Sequence, residues 1–155
     1  MLFEHDLDST IETTPLMPPQ QPYALLPASH RFAQQAKVSL DDLVLEPMIL
    51  LDVVPSRTYF VSIFEERGLT PNIVFSSPSI EMVRGMVGNG FGFSILVTKP
   101  FSDYTYDGQQ VVCVPLAENV TGSGLSAAWL RRVQLTKPAQ LFVDHCREEL
   151  ARLHS

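Results

Sequence analysis

Apolar residues along the chain come in short runs, cut by proline, glycine and acidic residues, and the spacing within each run predicts its element. Ile11 to Leu16 reads as a short strand, and Met1, Leu2 and Phe3 as the end of another. The run PLMPPQQP is a connector, because Pro15, Pro18, Pro19 and Pro22 bar helix. Tyr23 to Leu26 is an apolar strand closed by Pro27, and Ser39 caps a brief helical turn, SLDDL. Met48 to Leu51, between Pro47 and Asp52, is the kind of unbroken apolar run found in parallel strands buried on both faces. A helix then opens around Pro55, Ser56 and Arg57. Tyr59, Phe60, Ile63 and Phe64 form its apolar face, and Gly68 ends it.

Asn72 to Phe75 is the next strand. Ser77 is expected to cap the following helix, with Pro78 in its first turn and Ile80, Val83 and Val87 as its stripe. Gly88, Asn89 and Gly90 end that helix, and Phe93 to Val97 is a buried strand. Strand, helix, strand, helix, strand at this spacing predicts an α/β fold with right-handed crossovers and a parallel sheet. After Pro100 the pattern changes. Val111 to Val114 and Leu125 to Leu130 read as strands. Thr136 opens a last helix whose stripe would be Phe142, Cys146, Leu150 and Leu153.

Composition narrows the class. The 155 residues are 45% hydrophobic and 18% charged, which suits a globular core. The net charge of −6 comes with no basic stripe, so this chain by itself is a poor nucleic-acid binder. No apolar run approaches the ~20 residues that span a bilayer, and the acidic MLFEHDLDST is unlike a signal peptide. A cytoplasmic location without a membrane partner is therefore expected. Cys113 and Cys146 are expected to be reduced and buried.

In open α/β sheets ligands bind beyond the carboxyl ends of the parallel strands. The helix N-termini near Ser56 and Ser77 should sit there, with free N–H groups and a positive dipole end that favour a carboxylate. Ser56, Ser77 and Ser79 offer hydroxyls, Arg57 a fork of donors, and Phe93 or Tyr59 an apolar wall. Other chemistries fit less well. GNGFG follows a helix and opens a strand, the reverse of a dinucleotide loop. Ser56, His30 and Asp52 could be imagined as a hydrolase triad, but no G-x-S-x-G elbow is present. His5, His30, His145 and His154 are scattered, so neither a metal site nor a cofactor is expected.

The segments YALLPASHRFAQQAKVSLDDLVLEPMILLD and SPSIEMVRGMVGNGFGFSILV, in this order and spacing, resemble the effector-binding domain of LysR-type transcriptional regulators. The resemblance implies a type 2 periplasmic-binding-protein-like fold of two α/β subdomains, with a small effector between them. It implies that the chain corresponds to the last half of such a protein. Residues 1–24 would be a remnant of subdomain I and a crossover, 25–124 a nearly complete subdomain II, and 125–155 the return strand and C-terminal helix of subdomain I. Carried onto this sequence, the effector contacts would be Pro55, Ser56, Arg57, Ser77, Pro78, Ser79 and Phe93. Self-association would use the helix bearing Glu81, Met82 and Arg84 on its outer face. DNA would be bound only through a helix-turn-helix absent from this chain, and no enzymatic activity is implied. The alternatives are a stand-alone solute-binding protein, against which the N-terminus counts, and a small hydrolase.

Overall fold

The computed structural model describes residues 9–153 apart from Pro55, with nothing said of the Leu153 side chain. The strand end expected at Met1 to Phe3, and the residues Pro55, His5 and His154, lie outside the described residues. The chain divides into two compact units. One takes in the two ends, up to Gln20 and from Gly122 onward, and the other is the continuous stretch Gln21–Thr121.

The continuous unit is built on β2 (Tyr23–Pro27), β3 (Pro47–Leu51), β4 (Asn72–Ser77), β5 (Ser94–Leu96) and β6 (Val111–Pro115), with β1 (Ile11–Pro15) belonging to the other unit. β3 and β4 run parallel, as the alternating pattern predicts. Just before β5, Phe93 bridges in parallel to Met48: Ile49 donates to the Phe93 carbonyl at 2.7 Å and Phe93 donates to the Pro47 carbonyl at 2.9 Å. β2 then pairs antiparallel with both β5 and β6. The order across the unit is β4-β3-β5-β2-β6, mixed rather than wholly parallel.

Both faces of the sheet are covered at its central strands β3, β5 and β2, which is why these read as unbroken apolar runs, whereas β4 at the edge is exposed apart from Ser77. Alternate residues serve opposite faces, since side chains on a strand point up and down in turn. Ala24, Leu26, Met48, Leu50 and Ile95 face a cluster with Phe60, Ile63 and Phe64 of α2 (Ser56–Glu65) and Leu40 and Leu43 of α1 (Leu40–Leu43). Tyr23, Leu25, Ile49 and Leu96 face Val83 and Val87 of α3 (Ile80–Gly88). Ser39 caps α1 as expected, accepting from the Asp42 N–H. Glu118 also accepts from the Leu40 N–H at 2.9 Å, tying the end of the unit to that first turn.

The second unit holds an antiparallel ribbon of β1 and β7 (Ser126–Leu130), continued by a bridge between Gln20 and Ser123. With it goes α4 (Lys137–Leu153), whose Arg147 donates to Thr14 Oγ1 at 3.1 Å. The α4 stripe differs from the expected one. Val143 is buried and Cys146 and Leu150 are half-buried, whereas Phe142 is 68% exposed. Positions 142 and 143 both fit helical spacing, and only the packing partner decides between them. Cys113 and Cys146 are unpaired, as expected, but partly exposed rather than buried.

His30 gives a pH-dependent prediction. Its Nδ1 accepts from the Phe32 N–H at 3.2 Å, and Nε2 lies 4.0 Å from Glu46. Burial pushes its pKa below 6.5, Glu46 offsets this in part, and Arg31 adds to the lowering. A folded value below the unfolded one means that folding releases protons. The contribution is therefore present above pH 6.5 and is lost as pH falls through the lowered folded value. Thermal melts at pH 7.5 and 5.5 should show a Tm drop, and His30→Gln should shrink it by roughly a few degrees. An unchanged drop in the variant would remove His30 as its source.

Candidate functional site

The parallel register sets the ends of β3 and β4 side by side, with Leu51 opposite Ser77. The Asp52 N–H extends the pairing by donating to the Ser77 carbonyl at 2.9 Å. The chain leaves both strands at this edge, and α2 and α3 each begin a few residues later. Ser56 is the first residue of α2, and the Arg57 N–H bonds the Val53 carbonyl at 3.0 Å. Sequence and topology thus bring Ser56, Arg57, Ser77, Pro78 and Ser79 to one edge of one sheet. Pro55 lies outside the described residues.

The cap of α3 is not where the sequence suggests. Ser77 is still in strand conformation and is buried, its hydroxyl accepting from the Ser79 N–H at 3.2 Å. Ser79 is the N-cap: its backbone is extended and its side chain accepts from Met82 N–H at 3.3 Å. Pro78 explains the shift, because the residue before a proline is biased toward extended conformation. Pro78 and Ser79 are exposed. The first N–H groups of a helix lack partners within it, so the N–H groups of Ile80 and Glu81 join the exposed Ser79 in marking this end.

Arg57 is not a lone donor. Its guanidinium bonds Asp52 at 2.9 Å, with the two side chains 55% and 30% exposed. Sequence reading gave Asp52 no part in this site, although its place one residue past a parallel strand and five before an arginine was the signal. Phe93 lies deeper than the other described residues of this group. It is 1% exposed, and its ring lies 6.4 Å from that of Phe64, in the core below the edge rather than on its surface. Tyr59 donates to the Thr121 carbonyl at 2.6 Å, and burial pushes its pKa up to about 12, so it remains a neutral donor. The imagined triad does not assemble: His30 is engaged by Phe32 and Glu46, and Asp52 by Arg57. Among the described residues no three metal-ligating side chains cluster.

At its far end α3 exits as expected, but through Gly90 rather than Asn89. Asn89 keeps a φ of −81° and Gly90 alone there takes up the left-handed region, at 79°. A separate open hollow of about 530 Å³, lined by Ser9, Thr10, Leu130, Arg131 and Arg132, belongs to the other unit.

Residues 1–151 match the family described as the LysR substrate binding domain. The chain belongs to that family. Among curated proteins, the HTH-type transcriptional regulator CysB of Burkholderia cenocepacia is 30% identical over 112 residues, covering 70% of this chain and 36% of CysB. The crystal structure of HinK, a LysR family transcriptional regulator from Pseudomonas aeruginosa, is 77% identical, with a TM-score of 0.93 over 98% of this chain and 52% of that one. The C-terminal domain of a probable LysR family regulator from Rhodococcus is 32% identical with a TM-score of 0.84, covering 93% of this chain and 71% of that one. The LysR domain here thus spans about half of HinK and about a third of CysB. More distant LysR-type domains share the type 2 periplasmic-binding-protein-like fold. They include QuiR with shikimate and BenM with benzoate, at 19% and 20% identity and a TM-score of 0.76 each. Among the described residues, no helix of this LysR domain is long and apolar enough to cross a membrane.

Proposed function

We propose that this domain senses a small organic acid for a LysR-type transcriptional regulator. The observation that carries this is the converging pair of helix N-termini at the joined ends of β3 and β4, with Arg57 and exposed Ser79 on the same edge. Such an end is a ready anion site, because unpartnered N–H groups and the helix dipole both favour negative charge. Ser56, Ser77, Pro78 and Ser79 would cradle the carboxylate, and Arg57 would pair with it in competition with Asp52. Phe93 supports the edge from the core. Shikimate and benzoate, bound by proteins of the same fold, are both carboxylates.

An effector changes an equilibrium only by binding two arrangements unequally. Binding here would bias the regulator toward one arrangement and so change DNA contacts made by a helix-turn-helix elsewhere in the protein. Self-association would use the outer face of α3 and the open flank of β4, where Met82, Val74, Phe75 and Ile80 are exposed. Arg84, expected on that outer face, is instead buried. The domain would work in the cytoplasm and without catalysis.

A thermal-shift screen against benzoate, shikimate and other carboxylates tests the site. At least one should raise Tm, and Arg57→Ala should abolish most of that rise, since charge-assisted bonds contribute about 1.5–3 kcal/mol. A rise unaffected by both Arg57→Ala and Ser79→Ala would place the ligand elsewhere.

A further inference from the structure

Glu81 stands in the first turn of α3, at the end where the proposed function places the effector carboxylate. An acid there favours the helix itself, because negative charge complements the positive dipole end. The same acid, if left uncompensated, would repel an incoming anion. Its partner is Arg84, one turn along, at 3.0 Å.

Arg84 differs from the other ion-paired arginines carried by helices. Its side chain is 9% exposed, against 55% for Arg57, 45% for Arg147 and 71% for Arg152. Two backbone carbonyls hold it, those of Ser102 at 2.7 Å and Tyr104 at 3.0 Å. Its Nε makes no hydrogen bond. The buried guanidinium charge is therefore compensated by two carbonyls and by Glu81. Carbonyls carry no net charge, so Glu81 is its counter-ion. The loop fixes the arginine, and the arginine draws the carboxylate down the helix, away from the first N–H groups. The arginine is buried while Glu81 is 34% exposed, so salt screens this pair in part, on its carboxylate side.

We propose that Arg84 is a specificity-determining residue of the effector site. By neutralising Glu81 it allows the N-terminal end of α3 to accept an anion. This rests on the reading of that end as the effector site. Asp52 is then cancelled by Arg57 of α2 and Glu81 by Arg84 of its own helix, and the positive dipole ends remain as the net field.

The test is calorimetric titration of the 155-residue chain with benzoate, shikimate and inorganic sulfate. Arg84→Met frees the Glu81 charge and should weaken the anion that binds the unsubstituted chain about fivefold or more, the scale of one like charge a few ångströms away. Glu81→Gln alone leaves the arginine uncancelled and should tighten the same anion. The double substitution, Glu81→Gln with Arg84→Met, should return the affinity to within about twofold of the starting value. A folded double variant as weak as Arg84→Met would show that Arg84 only holds the loop, and would overturn the charge role while the site stood. If Arg84→Met does not fold, Glu81→Gln decides: no tightening overturns the proposal. An unsubstituted chain that binds none of the three anions overturns the site and the charge role together.

Discussion

Phe93→Ala should cost about 3–5 kcal/mol of folding stability, as expected when a large aromatic is cut from a close-packed core. Phe93 is 1% exposed, faces Phe64, and carries the bridge that joins β3 to the β5 side of the sheet. Removing the ring leaves a cavity against Phe64 on one face of that seam. Denaturant unfolding should show a large fall in midpoint with little change in slope, because the surface exposed on unfolding is nearly the same. Phe93→Leu keeps most of the volume and should cost much less. The alternative, in which Phe93 lines the effector site, predicts the reverse: altered carboxylate affinity in a chain of nearly unchanged stability. That pattern would return Phe93 to the surface and refute its place in the core.

Gly92→Ala should be nearly as damaging, for a different reason. Gly92 has a φ of 157°, and a Cβ there would lie 2.2 Å from the Pro47 carbonyl oxygen. That oxygen accepts the Phe93 N–H, so the methyl group would press on the very bond that closes the seam. The backbone conformation alone costs on the order of 1–3 kcal/mol for a residue with a side chain. Gly90 provides the comparison. Its φ is also positive, at 79°, but a Cβ there meets nothing within 4 Å. Gly90→Ala should therefore lose only the conformational cost, about 1 kcal/mol, and Gly92→Ala clearly more. Equal midpoints for the two variants would mean that the strands can part at Pro47 without penalty.

The continuous unit was largely legible because the central strands of its sheet are covered on both faces. Runs such as MILL and SILV need no phase to be recognised, and glycine and proline mark their ends. What escaped depended on partners remote in sequence. Ser77 and Ser79 flank Pro78 and either could cap a helix. The parallel register that keeps Ser77 in β4 decides between them. Arg84 reads as a solvated residue on a helix, yet carbonyls of a loop 18 and 20 residues away bury it. Phe93 reads equally well as wall or core until Phe64 is placed beside it. On α4 the stripe kept Cys146 and Leu150 but took Val143 in place of Phe142, since the two are equally apolar candidates.

The two ends of the chain meet in the ribbon of β1 and β7, with Arg147 of α4 also reaching Thr14, while the intervening Gln21–Thr121 forms its own unit. This topology predicts an order of events in time. During synthesis β1 emerges early and must wait for a partner made about 110 residues later. Closing a flexible loop of that length would cost roughly 4 kcal/mol in entropy. The intervening unit has all its strand partners within itself and can fold first. Once it has, its ends are held near the Gln20–Ser123 bridge, and the long loop becomes a short one. The ribbon is therefore expected to form last and open first, which hydrogen exchange would read as the weakest amide protection along β1 and β7.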